Sequence, residues 1–474
     1  MLFNSLTFVV FIVIVLALHY SPFPWKLKKI NLLVASYLFY AAWNPPFVIL
    51  LWISTIVDWH VAKWIFREER AKQRRLLLIL SMATNLGILG YFKYGEFLLE
   101  NWQALMLGFG IDYQVPKWSI ILPVGISFYT FQTMAYSLDI YLKRAKPAKS
   151  FLDFSLFVTF FPQLVAGPIV RPTDLIPQFA KPHQANAKQF GWGLTLVILG
   201  VFQKVVIADG LLAPAAEAVY DAGGPVSTLD AWLGTLAFSG QIFSDFAGYS
   251  TTAIGIALCL GFSLPTNFRF PYAAIGFSDF WRRWHISLSS WLRDYLYIPL
   301  GGNKKGNVRT YINLSLTMLL GGLWHGASWN FVVWGGLHGS FLAIERFTKS
   351  QWGHLSIGQT QWFKILLALI TYAAVNITWV FFRADTLATS GSLVSSMFGF
   401  APADAGTPLP TLYIIEVVTV ICALVTCHWL MRDTSLEAVA AKIPPWLLVT
   451  ALAFMSFAVI ITQGTGNAFI YFQF

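Results

Sequence analysis

Charge is what this 474-residue sequence has least of: Asp, Glu, Lys and Arg make up 11% of it, against roughly a quarter in an ordinary soluble domain. That scarcity excludes a soluble globular enzyme. A hydrophobic content of 57%, with 20 Trp and 41 Phe, excludes a disordered chain. Cysteine is scarce as well. Cys259, Cys422 and Cys427 all stand in apolar stretches, without the spacing of a metal site or a disulfide framework, and are expected to pack in the core. A Gly-x-Ser-x-Gly elbow is absent, and the histidines are too dispersed for a His-x-x-x-His metal site. The turn Gly301-Gly302-Asn303-Lys304-Lys305-Gly306 is rich in Gly and Lys but lacks the Walker spacing. No metal and no bound cofactor is therefore expected.

What is abundant is the long apolar run. Such runs fall at about residues 2–20, 31–43, 46–62, 76–92, 119–141, 189–208, 231–260, 311–325, 329–347, 364–382, 410–430 and 446–463. With about 20 residues needed per helical span, the length accommodates ten to a dozen spans and no sizeable soluble domain. The expected architecture is all-α and polytopic, with about ten to twelve transmembrane helices in a single membrane domain over residues 1–474. Two aromatic stretches, 151–168 and 272–300, are broken by Pro, Gly and charge and read as re-entrant or interfacial helices. Met1–Tyr20 lacks a basic leader and a small-residue cleavage site, so it reads as a retained first span.

The net charge of +10 speaks of topology rather than of nucleic acid. Lys26, Lys28 and Lys29 follow the first run, a basic cluster from Lys63 to Arg75 the third, and Lys143, Arg144, Lys146 and Lys149 the fifth. Between Val205 and Phe268 there is no Lys or Arg, while Asp209, Glu217, Asp221 and Asp230 occupy the first loop there. Basic loops are expected on the cytoplasmic side and acidic ones outside. On that reading both ends of the sequence face outward and the basic segment 269–309 faces the cytoplasm.

Polar groups in apolar runs are the candidates for chemistry. His19, His60 and His428 lie near span ends beside aromatic residues and read as interfacial; His183 and His354 fall in polar loops. His325, in Gly321-Gly322-Leu323-Trp324-His325-Gly326-Ala327, has small neighbours that let a substrate or a backbone approach closely. Two readings stand: a neutral general base acting on a hydroxyl inside the membrane, or a histidine hydrogen-bonded across two helices. His285 lies in Ser278–Tyr295, where helical spacing puts Trp281, Trp284, Leu288, Trp291 and Tyr295 on one stripe and turns Arg282, Ser289 and Arg293 away. That pattern predicts one amphipathic helix capped by Asp279, with His285 either functional or a satisfied core residue. His338 follows Gly335-Gly336-Leu337 and reads first as close helix packing.

Together these motifs carry a resemblance. Trp284-His285-Ile286-Ser287, Trp291-Leu292-Arg293-Asp294-Tyr295, Tyr297-Ile298-Pro299-Leu300-Gly301-Gly302 and Gly322-Leu323-Trp324-His325-Gly326-Ala327 resemble the membrane-bound O-acyltransferase (MBOAT) family. Met1–Ser5, Pro123–Gln132 and Phe161–Ile169 are similar to its bacterial branch, which acylates alginate, peptidoglycan, cellulose and teichoic acid. The resemblance runs the length of the sequence, with a motif-bearing core at about 119–347 and C-terminal helices and a tail at about 364–474.

It implies a helical core pierced by a passage through the membrane, with His325 catalytic and His285 beside the transfer tunnel. It implies an acetyl donor, expected to be acetyl-CoA, docking at the cytoplasmic mouth near Arg282, Arg283, Arg293, Lys304 and Lys305. Phe469–Phe474 resembles a tail motif in which a tyrosine, here Tyr471, is a transient acyl carrier. The implied partners are the lipid bilayer, a periplasmic acetyltransferase of the SGNH-hydrolase type and a polysaccharide synthesis and export machinery in the bacterial inner membrane; no nucleic acid is implied. A non-catalytic acetyl or polymer exporter and a lipid-directed acyltransferase are the alternatives.

Overall fold

Each of the twelve apolar runs lies within a helix or overlaps one closely in a computed structural model, which describes residues 1–115, 120–352, 354, 360–462 and 470. Among the described residues there is no strand, only an isolated bridge between Val226 and Gly406. Among the described residues, seven helical stretches are long and apolar enough to cross a membrane: Pro45–Arg67, Ala71–Gly108, Ala187–Tyr220, Thr228–Cys259, Gln361–Arg383, Thr411–Met431 and Pro445–Thr462. Their burial differs in a way that only a lipid solvent explains. Pro445–Thr462 buries none of its residues yet is apolar all round, which fits a helix facing lipid. Ile126–Tyr141, by contrast, is buried along nearly its whole length. The protein is an all-α, multi-pass membrane protein.

The chain forms two compact units, residues 1–197 with 253–265, and residues 198–252 with 266–474. In the first, Val48–Arg67, Ala71–Leu89 and Ile126–Tyr141 are joined around the fully buried Asp58 carboxylate. It accepts hydrogen bonds from Ser81, from Asn85 Nδ2 (2.7 Å) and from Ser137 (2.9 Å), which offset the cost of taking the carboxylate out of water.

The second unit holds the motif segment. Asn307–His325 and Trp329–Trp352 form a tight hairpin. A Cβ at Gly322 would lie 2.2 Å from the Phe331 carbonyl oxygen, and one at Gly335 would lie 2.4 Å from that of Met318. Only glycine permits this contact. Gly335→Val is expected to destabilise the fold by more than the ~1–3 kcal/mol of ordinary overpacking, read as a loss of monodisperse protein in detergent. Full yield and an unchanged melting temperature would contradict this packing.

Several expectations need correction. The segment 278–295 is not one helix: Phe277–Arg283 and Ile286–Leu292 are separated at His285, whose backbone is left-handed with φ 43°. The cause is a segment upstream. Arg269 N–H donates to the Arg283 carbonyl (2.9 Å) and Ile286 N–H to that of Asn267 (2.9 Å), so these groups cannot serve a continuous helix. Asp279 does not cap from the N-cap position; its carboxylate accepts from Ile275 N–H, while Glu345 accepts from Ser278 N–H at 2.8 Å.

Asp209 is not in an exposed loop but buried in a helix, and Asp230 is buried in the first turn of Thr228–Cys259. His19 and His428 are buried rather than interfacial, although His60 is exposed. Loops and short helices cover those span ends: His19 Nε2 is 3.1 Å from the His183 carbonyl, and the His428 ring packs on Phe243 and Tyr272. Of the cysteines only Cys259 is buried. Cys422 and Cys427 lie on the outward face of Thr411–Met431.

Candidate active site

His325 is the last residue of Asn307–His325, held where the hairpin closes. Its ring is 3% exposed and boxed by aromatic side chains: Trp324, Trp334 and Phe382 have ring centroids 5.0, 5.0 and 5.3 Å away. The ring also lines a cavity of about 210 Å³ with Trp281, Leu292, Met318, Gly321 and Trp334, and Arg293 and Tyr297 line it too. The imidazole thus stands in an apolar setting beside a cavity that a thin acyl chain could enter.

His285 stands beside it. The two imidazole centroids are 6.5 Å apart, and the His285 ring is fully buried against Phe246 (4.7 Å) and Trp324 (5.9 Å). Burial lowers its pKa, so this ring is neutral. Asn267 sets its tautomer. Asn267 Oδ1 accepts from the Ser287 backbone N–H (3.2 Å) and from the Ser287 hydroxyl (2.9 Å). A backbone N–H can only donate, which fixes that atom of Asn267 as oxygen. His285 Nδ1, 3.3 Å from the same oxygen, therefore carries the ring hydrogen, and Nε2 is the accepting nitrogen. A neutral His285 in this tautomer has no Nε2–H to offer an oxyanion. The left-handed backbone of His285 costs about 1–3 kcal/mol unless its surroundings enforce it; the Asn267 contacts and the 267–269 backbone pairing do so.

The remaining candidates separate. Arg283 is buried, with Nε 2.9 Å from Asp279 Oδ1 and an N–H donating to the Arg432 carbonyl, so it is committed to the fold. Arg293 pairs with Asp294 at 2.7 Å while lining the His325 cavity. Arg282 is exposed and lines a second cavity. Lys304 and Lys305 are exposed on their turn and line neither. Tyr471 lies outside the described residues. His338 packs between helices, with Nε2 3.0 Å from the Thr378 hydroxyl. Among the described residues no group of three His, Cys, Asp or Glu side chains could hold a metal.

A buried ionic cluster was overlooked in the sequence. Lys204 lies 2.9 Å from Asp209 and 2.8 Å from Asp245, and Asp245 Oδ2 accepts from the Ile470 backbone N–H at 2.7 Å. Ile470 is thereby anchored to Asp245, whose neighbour in sequence, Phe246, packs its ring on His285. The signal was there: Lys204 and Asp245 are ionisable residues inside apolar runs, where a charge is costly.

The sequence is similar to those of known proteins. The sequence model of MBOAT, the membrane-bound O-acyltransferase family, matches residues 142–383. The probable alginate O-acetylase AlgI of Azotobacter vinelandii is 41% identical over 403 residues, covering 84% of this chain and 78% of that protein. The peptidoglycan O-acetyltransferase of Helicobacter pylori is 39% identical over 397 residues, covering 78% and 74%. The teichoic acid D-alanyltransferase of Bacillus subtilis is 29% identical over 278 residues, covering 54% and 67%. Both histidine motifs fall inside the matched region, and the chain belongs to the membrane-bound O-acyltransferase family and is an O-acyltransferase.

Proposed function

We propose that this protein takes acetyl groups from a cytoplasmic thioester, acetyl-CoA, and passes them across the bacterial inner membrane for O-acetylation of an exopolysaccharide or cell-wall polymer. The observation that carries the reading is a buried imidazole, His325, lining an apolar cavity, with a second buried imidazole, His285, 6.5 Å from it. The acetyl class follows the names of the relatives, an alginate O-acetylase and a peptidoglycan O-acetyltransferase.

In this mechanism the thioester enters the cavity beside His325. His325 accepts the proton of the acceptor hydroxyl as that oxygen attacks the thioester carbonyl. The tetrahedral adduct then collapses, its carbon–sulfur bond breaks, and the departing thiolate takes the proton from His325. The products are an acetyl ester and a free thiol. The single hydrogen of the acceptor hydroxyl goes to His325, so His285, whose Nε2 can only accept, orients the thioester instead by accepting from an amide N–H of its pantetheine arm; backbone N–H groups rather than His285 stabilise the oxyanion.

The first acceptor is the Tyr471 hydroxyl, next in sequence to the anchored Ile470. A periplasmic SGNH-hydrolase-type partner then moves the acetyl group to the polymer, within a polysaccharide synthesis and export machinery.

The test is alkali-released acetate from each envelope polymer in cells lacking the protein. Loss from one polymer, restored by the wild-type chain, is the expected result. Unchanged acetate in every polymer would overturn the reading. Tyr471→Phe is expected to abolish that restoration; full acetylation by this variant would remove the tyrosine step alone.

A further inference from the structure

The Lys204, Asp209 and Asp245 cluster has no part in the chemistry described above, yet it is costly. Three side chains, none more than 8% exposed, carry one positive and two negative charges inside membrane helices. Helix packing does not require them. The two helices that carry the cluster already meet at Gly200 and Gly248, where a Cβ on either would lie 2.4 or 2.6 Å from the other's carbonyl oxygen. The cluster also sits in irregular backbone: Gln203–Leu212, which holds Lys204 and Asp209, is wound as a π-helix over ten residues, a form usually limited to one turn and frequent at functional sites.

What the cluster holds is the tail segment. Thr462, the last residue of Pro445–Thr462, sets its methyl against Gly210 of the π-helical stretch, where a Cβ would lie 2.8 Å from it. Ile470 is tied to the same place. Its N–H donates to Asp245 Oδ2 at 2.7 Å, while Asp245 Oδ1 stands 2.8 Å from Lys204 Nζ. The two oxygens of one carboxylate are thus divided between the ammonium and the tail. The buried Ile470 side chain belongs to the same apolar core as Trp334 and Phe382, two of the rings around His325.

We propose that Asp245 is a positioning residue for the transfer step: with one oxygen directed by Lys204, it uses the other to seat the tail at Ile470 and so holds the Tyr471 hydroxyl ready to accept the acetyl group. The proposal rests on the tyrosine relay described above. It makes a sharp chemical demand. In Asp245→Asn the carboxamide oxygen turns to the ammonium, the stronger partner, and the NH2 group is left facing the Ile470 N–H, donor against donor. This variant keeps the shape, leaves Lys204 paired one to one with Asp209, and loses the anchor.

Full-length protein in nanodiscs, given labelled acetyl-CoA, yields two readings from its C-terminal peptide: hydrogen–deuterium exchange, which reports the anchor, and alkali-labile label, which reports transfer. Asp245→Asn should exchange there at least tenfold faster than the wild type. It should also label at least tenfold more slowly at saturating donor, with the half-saturating donor concentration unchanged. Ile470→Pro attacks the same bond from the other side by removing the N–H. It should label at least tenfold more slowly than Ile470→Ala, which also loses the buried side chain but keeps the donor. Because the two changes remove one bond, Asp245→Asn should slow Ile470→Pro no further, whereas independent damage to the fold would add. His325→Gln should exchange like the wild type although it does not label. Wild-type exchange in Asp245→Asn, fast exchange with undiminished labelling, or additive losses in the double variant would each overturn the proposal. A wild-type tail that exchanges slowly but never takes label would instead overturn the tyrosine relay, with the anchor still read by exchange.

Discussion

Replacing His325 with alanine is expected to lower acyl transfer by about 10²–10⁴-fold, the usual contribution of a positioned general base, while leaving the protein inserted and folded. The hairpin that carries His325 is held by backbone contact at Gly322 and Gly335, not by the imidazole. The aromatic box of Trp324, Trp334 and Phe382 persists without it. His325→Gln is the more demanding variant, because it fills much of the same space and keeps a hydrogen-bonding group but cannot take a proton. It should be as inactive as the alanine variant. A glutamine variant with near wild-type turnover would show that the side chain only packs.

The second large effect is expected at His285, where strain and chemistry can be separated. Its φ of 43° suits glycine and penalises other residues. Both His285→Gly and His285→Ala lack the buried ring and its Asn267 contact, but only His285→Gly relieves the strain, so it should melt higher than His285→Ala yet lose about 10²-fold in kcat. His285→Ala keeps the strain and loses the Asn267 contact, so it should show the same kinetic defect together with a lower melting temperature. Asn267→Ala should slow turnover through the tautomer in the wild-type background and add little in His285→Gly, a double-mutant result that independent structural damage would not give. Full activity in His285→Gly would reduce His285 to a structural residue.

The fold was legible in the sequence wherever the determinant was local. The apolar runs at 231–260 and 446–463 correspond to the helices Thr228–Cys259 and Pro445–Thr462 because composition alone dictates a span. The small residues before His325 and before His338 signalled a close approach, since Gly322 and Gly335 leave no room for a side chain. Where the determinant was distant, local periodicity misled. The Trp281–Tyr295 stripe is a fair helical pattern, but residues 267–269 take the backbone groups needed to continue the helix through His285. Arg283 looked like its neighbour Arg282, yet Asp279 and the carbonyl of Arg432 withdraw it into the interior. Asn267, which decides how His285 is protonated, is an asparagine with no motif around it; only the fold brings it to the site.

The most direct test of the account uses sealed proteoliposomes with labelled acetyl thioester supplied on the cytoplasmic face, at matched levels of wild-type and His325→Gln protein. The wild type should form alkali-labile acetyl ester on a hydroxyl of the protein or of an added acceptor at the opposite face, and His325→Gln should form none above background while binding donor normally. Equal ester formation by the two proteins would contradict the assignment of His325 as the base for the transfer.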